Sequence, residues 1–393
     1  MQPSPLTAAV RRFPLLGRPR PDCPALPLRI QEIADAVDTA RQQINHGMAE
    51  AAHALNKAAL IASDAGMTDL AQQLSWQHID AYCRAGRPLT ILEARHLLEP
   101  VLNLARLQLR SGQATTALRL LESMFDAVTR RRDLVDAEQT LPLANLVGDQ
   151  QDYRQLHQWV WLQLIGEGVR AHALAGRWND AAEHARHHNG IGDHLMEGRQ
   201  AEIIAHCLRG DQAQARTLLT ESVTTETWEQ DIAACLHLMC LDGGDEPTAP
   251  VGAAQLVAAA IGRYAGGNRT ANYASYRARL GLTIVTLANS VNPRRATELL
   301  GRVAHNAINS KDGYAARDVL GFREPIEGIT DDQRSRLSRL AADSGLSVGT
   351  LPQQFLHRLT TVADEAAAVL DAALATTSPT DPEPAMQQEA RTR

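Results

Sequence analysis

The sequence predicts an all-α fold, a right-handed solenoid of stacked helical hairpins, and three observations carry that expectation. Hydrophobic residues fill 44% of the 393 positions but aromatic residues only 4%, so the interior has to be built from Ala, Leu, Val and Ile. Such a core suits closely packed helices better than a sheet sandwich. Helical periodicity dominates from about Leu28 to Leu374, and the breaks fall at short Gly, Pro and Asn clusters such as Gly86-Arg87-Pro88. Finally, Gly66, Gly112, Gly176 and Gly210 are each followed five residues later by alanine, at Ala71, Ala117, Ala181 and Ala215. Glycine permits the left-handed turn that ends one helix, and the small alanine lets the next helix pack close. A fifth copy without the glycine places Ala296 and Leu299-Leu300 after Asn292-Pro293.

Along the chain, residues 1–28 hold seven prolines, which fix φ and remove donors, so an extended arm is expected there rather than a helix. Helical repeats follow over 29–243. The cluster Gly243-Gly244-Asp245-Glu246-Pro247 marks a boundary, and 244–375 reads as a second helical-repeat and capping region. Residues 376–393 have too little apolar surface to bury and are expected to be disordered.

Composition excludes several classes. A net charge of -6 and a pI near 6.2 argue against a nucleic-acid binder, which needs an excess of Lys and Arg. Cys23, Cys83, Cys207, Cys235 and Cys240 are an odd set without a CxxC pair, so no disulfide framework is expected and a reducing cytoplasm fits best. Neither a signal-peptide h-region nor an apolar run of membrane-spanning length is present. No Gly-rich phosphate loop or GxSxG elbow occurs, and nothing points to a cofactor.

The segments LRSGQATTALRLL, LAGRWNDAAEHA and LRGDQAQARTLL resemble the Gly-to-Ala core of a tetratricopeptide repeat. The Gly176-to-Gly210 interval has that repeat's length, whereas the other intervals and most tryptophan, tyrosine and proline positions depart from it. The resemblance implies that ligand-facing residues lie on the first helix of each hairpin, which singles out Asn56, Lys57, Asn103, Arg106, Arg170, Arg199 and Gln200. Arginine suits carboxylate or phosphate capture through its planar fork. Trp178, in the turn before Ala181, is expected on the groove's rim. Arg279, Tyr314 and Arg317 belong to a second polar-aromatic concentration of the kind that anchors interfaces.

Two further patterns bear on chemistry. HARHHNGIGDHL gathers His184, His187, His188 and His194; His184 and His188 are helical neighbours, but without HExxH or a third ligand at fixed spacing no metal is assigned. Near the C-terminus, Ala341, Gly345 and Leu351 have helix-turn-helix spacing, and Thr330 with Gln333 supplies a capping box. Pro352 breaks the would-be recognition helix, which favours a capping helix from Gln353 to Leu374.

The leading functional expectation is a helical-repeat adaptor that captures a peptide or protein in a concave polar groove. A second is a tailoring enzyme or accessory factor in ribosomal peptide natural-product biosynthesis, such as a lanthionine cyclase of a lanthipeptide pathway, suggested by a general similarity to helical accessory proteins of high-GC bacteria. There His187, His188 or His206 would be the candidate acid or base. A third is a transcriptional regulator that reads DNA through residues 330–360.

Overall fold

The computed structural model describes residues 4–42, 47–136, 139–241, 250–267 and 270–376. Among them, seventeen α-helices and one two-stranded ribbon make the fold all-α. The expected boundary at Gly243 to Pro247 and the tail from 377 onward lie outside the described residues. No described helix is long and apolar enough to cross a membrane. Two compact units form, one from Met1–Ala25 with Ile165–Leu346, the other from Leu26–Leu164 with Ser347–Arg393. Each unit thus joins segments distant in sequence, a division that the local breaks used at the sequence level do not report.

The unit that begins at Leu26 contains α2 (Leu26–Gln42), α3 (Gly47–Ala65), α4 (Thr68–Arg84), α5 (Ile91–Arg110), α6 (Ala114–Arg130), the first part of α7 (Gln150–Leu174), and α17 (Gln353–Thr376). Consecutive helices pack in pairs from α2 to α6, and α3 also touches α5. Gly66 and Gly112 turn the chain with φ of 87° and 74°, and Ala71 and Ala117 behind them are buried. At the start of α5 the Thr90 hydroxyl accepts from Glu93 N–H at 3.3 Å while Glu93 accepts from Thr90 N–H at 2.8 Å. Arg87 then clamps Glu93 through two bonds of 2.9 and 2.7 Å.

The Pro352 carbonyl accepts from Phe355 and Leu356 N–H, so the proline precedes α17 instead of breaking it. The helix expected from Gln353 is present and packs Leu359, Val362, Ala366 and Leu370 against α2, α3 and α4. A short ribbon of β1 (Leu134–Asp136) and β2 (Gln139–Leu141), with Leu134 opposite Leu141, has no counterpart in the sequence reading.

The other unit holds α1 (Pro5–Val10), the end of α7, α8 (Trp178–His187), α9 (Glu197–Arg209), α10 (Gln212–Thr220), α11 (Thr227–Met239), α12 (Pro250–Gly266), α13 (Ala274–Asn289), α14 (Pro293–Ser310), α15 (Gly313–Leu320) and α16 (Asp331–Asp343). Ala181, Ala215 and Ala296 are fully buried. At the fifth turn Val291 stands where the other copies have glycine, and Asn292 caps α14 by accepting from Arg295 N–H at 3.1 Å. The N-terminal segment is not extended throughout. Ser4 caps α1 and Pro5 occupies its first turn, where a missing donor costs nothing. Leu6, Val10, Phe13 and Leu15 enter this unit's core.

Gly176 and Gly210 have φ of 71° and 80°, and a Cβ at either position would meet nothing within 4 Å. Backbone strain alone therefore sets the cost of a side chain there. Alanine at either position is expected to lower unfolding stability by about 1–2 kcal/mol and asparagine by less, read as the shift in urea midpoint at unchanged slope.

Candidate functional site

The first polar constellation lies across α3 and α5. Asn56, Leu60 and Ser63 recur at helical spacing on α3, and Asn103, Arg106 and Arg110 do so on α5. Because α3 and α5 are neighbours, the two rows meet. Asn103 Nδ2 donates to Asn56 Oδ1, and Arg106 donates to Asn103 Oδ1 at 3.1 Å. Arg110 reaches Ser63 Oγ and lies 3.7 Å from Asp64 Oδ1, while Arg29 holds the other Asp64 oxygen at 2.6 Å. Among the described residues the amide hydrogens of Asn56 make no bond. Leu60, Ser63, Ser75, Asn103, Arg106 and Arg110 line a crevice of about 20 Å³ between the helices. Lys57 stands aside, paired with Glu32 at 2.6 Å.

The binding residues expected in the other unit are engaged differently. Gln200 is fully buried; its Oε1 accepts from Leu15 N–H at 2.9 Å, and its Nε2 donates to the Leu15 and Leu195 carbonyls, each at 2.6 Å. Arg279 donates to the Arg12 carbonyl, and burial lowers its pKa to about 10. Asp312 accepts from Cys23 N–H at 2.8 Å. A Cβ on Gly17 would lie 2.0 Å from Trp228 Cβ. These helices hold the chain's own N-terminal segment, whose prolines leave backbone groups that must find partners elsewhere.

Arg199, also buried, donates to Ser222 Oγ at 3.1 Å and the Leu218 carbonyl at 2.8 Å. Arg170 pairs with Glu167 at 2.8 Å, and Arg317 stacks 5.0 Å over the Tyr314 ring. Trp178 is not on a rim. It is only 4% exposed and packs in the core, where an indole gains more from burial than from solvent.

Four imidazoles gather where α7 meets α8: ring centroids are 5.6 Å apart for His172 and His184, 4.7 Å for His184 and His188, and 4.8 Å for His187 and His188. Desolvation first, then neighbouring positive charge, lowers His172 and His188 to about 4, so both are neutral near pH 7. His206 sits apart between Asp211 at 2.9 Å and Glu202 at 3.4 Å. Among the described residues no group of three or more His, Cys, Asp or Glu is placed to hold a metal ion. At the C-terminal segment, Thr330 and Gln333 form the expected capping box; Arg336 lies 3.9 Å from Asp332 and Arg358 bonds Gln31.

The chain matches no known family model, no curated protein and no solved structure. Its chemistry therefore has to be read from its own geometry.

A second histidine set escaped the sequence reading because its members lie on three helices. His53 on α3 and His96 on α5 stack edge to face at 5.1 Å, and His96 Nδ1 is 3.8 Å from Glu99. His78 on α4 is 1% exposed, and neither of its ring nitrogens has a hydrogen-bond partner among the described residues. Burial, then the charges of His96 and His53, depress His78 from 6.5 to about 3.

The folded protein therefore keeps His78 neutral while the unfolded chain protonates it below pH 6.5, and stability falls as pH drops through that window. At two pH units below 6.5, His78 is expected to cost about 3 kcal/mol relative to neutral pH, at about 1.4 kcal/mol per unit. Urea unfolding of wild type and His78→Gln at both pH values measures this. The difference between the two proteins should narrow by that amount in acid, and a parallel pH dependence would refute the assignment.

Proposed function

We propose that this protein is a scaffold of tetratricopeptide-like hairpins, stacked as a solenoid, that holds an extended, carboxylate-bearing peptide or protein segment against the α3–α5 face. The observation that carries this reading is the meeting of Asn56, Asn103 and Arg106 on adjacent first helices of consecutive hairpins. A carboxamide offers both a donor and an acceptor, the complement of a peptide unit in any sequence. Gln200 illustrates that chemistry in this chain by engaging both the N–H and the C=O of Leu15.

The Arg106 and Arg110 guanidinium groups add cationic forks beside the carboxamides, and Leu60 and Leu107 supply apolar contact in the same crevice. Arg110 is drawn toward Asp64, and Arg106 stands beside the Asn103 carboxamide, where its fork can meet an incoming carboxylate together with that amide. A reducing, cytoplasmic setting fits the five free thiols.

The test is retention of a random synthetic peptide pool, prepared once with free C-terminal carboxylates and once amidated, on immobilised full-length protein with mass-spectrometric readout. Free-acid peptides should be enriched. Asn103→Ala/Arg106→Ala should weaken their retention about ten- to a hundredfold, the value of a charge-assisted hydrogen bond, with the helical circular-dichroism signal and urea midpoint showing that the variant is folded. Equal retention by both proteins, or no preference for free acids, would sink the proposal.

A further inference from the structure

A depression of about 510 Å³ opens between α14 and the start of α16, lined by Glu298, Gly301, Arg302, His305, Asn306, Gly328, Thr330 and Gln333. Its volume falls within the range of ligand-binding clefts. Two glycines of the lining let the segment around Gly328 lie directly against α14. A Cβ on Gly301 would lie 3.0 Å from the Gly328 carbonyl oxygen; one on Gly328, whose φ is 145°, would come within 2.6 Å of the Thr297 carbonyl oxygen.

His305 Nε2 of the lining is bonded by Asn309 Nδ2 at 2.8 Å, and two carboxamides are also held in place. Gln333 accepts from Thr330 N–H at 3.0 Å and donates to the Gly301 carbonyl at 3.3 Å, and Asn306 donates to Tyr264 Oη at 3.2 Å.

The charges of the lining are unequally committed. Glu298, the lining's carboxylate, pairs with Arg294 at 3.1 Å. Arg302 is four residues from Glu298 on the same helix, yet among the described residues it makes no ion pair or hydrogen bond. The Thr330 hydroxyl accepts from Gln333 N–H at 3.2 Å, which leaves its own proton to donate. The nearby acids Asp331 and Asp332 sit on the first turn of α16 outside the lining, and Asp332 leans toward Arg336 at 3.9 Å. A planar cationic fork and a hydroxyl donor lining one depression are suited to an oxyanion.

We propose that this depression binds a small oxyanion-bearing molecule, a carboxylate or a phosphate, with Arg302 as its anchor and Thr330 as its second donor. The site is separate from the α3–α5 face and does not depend on the reading of that face.

The experiment titrates the full-length, isotope-labelled protein with inorganic phosphate in one arm and succinate in the other, at constant ionic strength, following backbone amide shifts. Saturable shifts at Gly301, Gly328 and Thr330 are expected in at least one arm, and the arm that saturates at lower concentration names the source of the oxyanion. Arg302→Gln, an exposed substitution that leaves the fold intact, should weaken that binding at least about tenfold. Glu298→Gln should strengthen it, because it removes the acid able to compete for Arg302. Non-saturating shifts in both arms, or equal affinity in Arg302→Gln and wild type, would overturn the proposal.

Discussion

Helices in this chain approach one another as closely as small side chains allow, and the rest of the structure depends on that closeness. Along α3 the buried positions include Ala51, Ala52, Ala54, Ala58, Ala62 and Ala65. Elsewhere the clearance is that of glycine: a Cβ on Gly168 would sit 2.1 Å from His184 Nε2, and one on Gly281 would sit 2.4 Å from Val303 Cγ2. A core so poor in aromatic rings reaches native density only in this way. The consequence extends to the polar faces, because side chains flanking such close helices, Asn56 and Asn103 among them, come within hydrogen-bonding reach.

The N-terminal segment follows from a different accounting. After α1 its prolines and extended backbone supply no internal ladder, so every buried donor and acceptor needs a partner from the helices it crosses. Gln200, Arg279 and Asp312 meet that need. Phe13, Leu15 and Leu16 add apolar contact, and all three are buried. Residues that read as ligand contacts in a linear sequence are in this unit ligands of the chain itself. On α3 and α5 the same residue types bond one another, Asn103 to Asn56 and Arg106 to Asn103.

The histidines show how much of a site linear order conceals. His184, His187 and His188 are conspicuous because they fall within about one turn at the end of α8, and they do cluster. His53, His78 and His96 lie on three consecutive helices, and only the packing of α3, α4 and α5 brings them together. Glu298, Arg302 and His305 were equally hidden. Their spacing marks one face of α14, but the depression they line needs Gly328, Thr330 and Gln333 from the segment that follows α15.

By itself the sequence determined the local elements. Gly66, Gly112, Gly176 and Gly210 adopt the left-handed conformation their hairpin turns require, Thr330 and Gln333 cap α16, and Pro352 stands ahead of α17, because each outcome rests on backbone sterics and hydrogen bonds within a few residues. Tertiary structure decided what crosses such distances: that α17 packs on α2, α3 and α4, that Trp178 is core, that α1 forms and its segment fills the contacts of Gln200, and that Asn56 meets Asn103. Those outcomes depend on which apolar faces find each other across hundreds of residues, and the periodicity that announces an apolar face does not encode the identity of its partner.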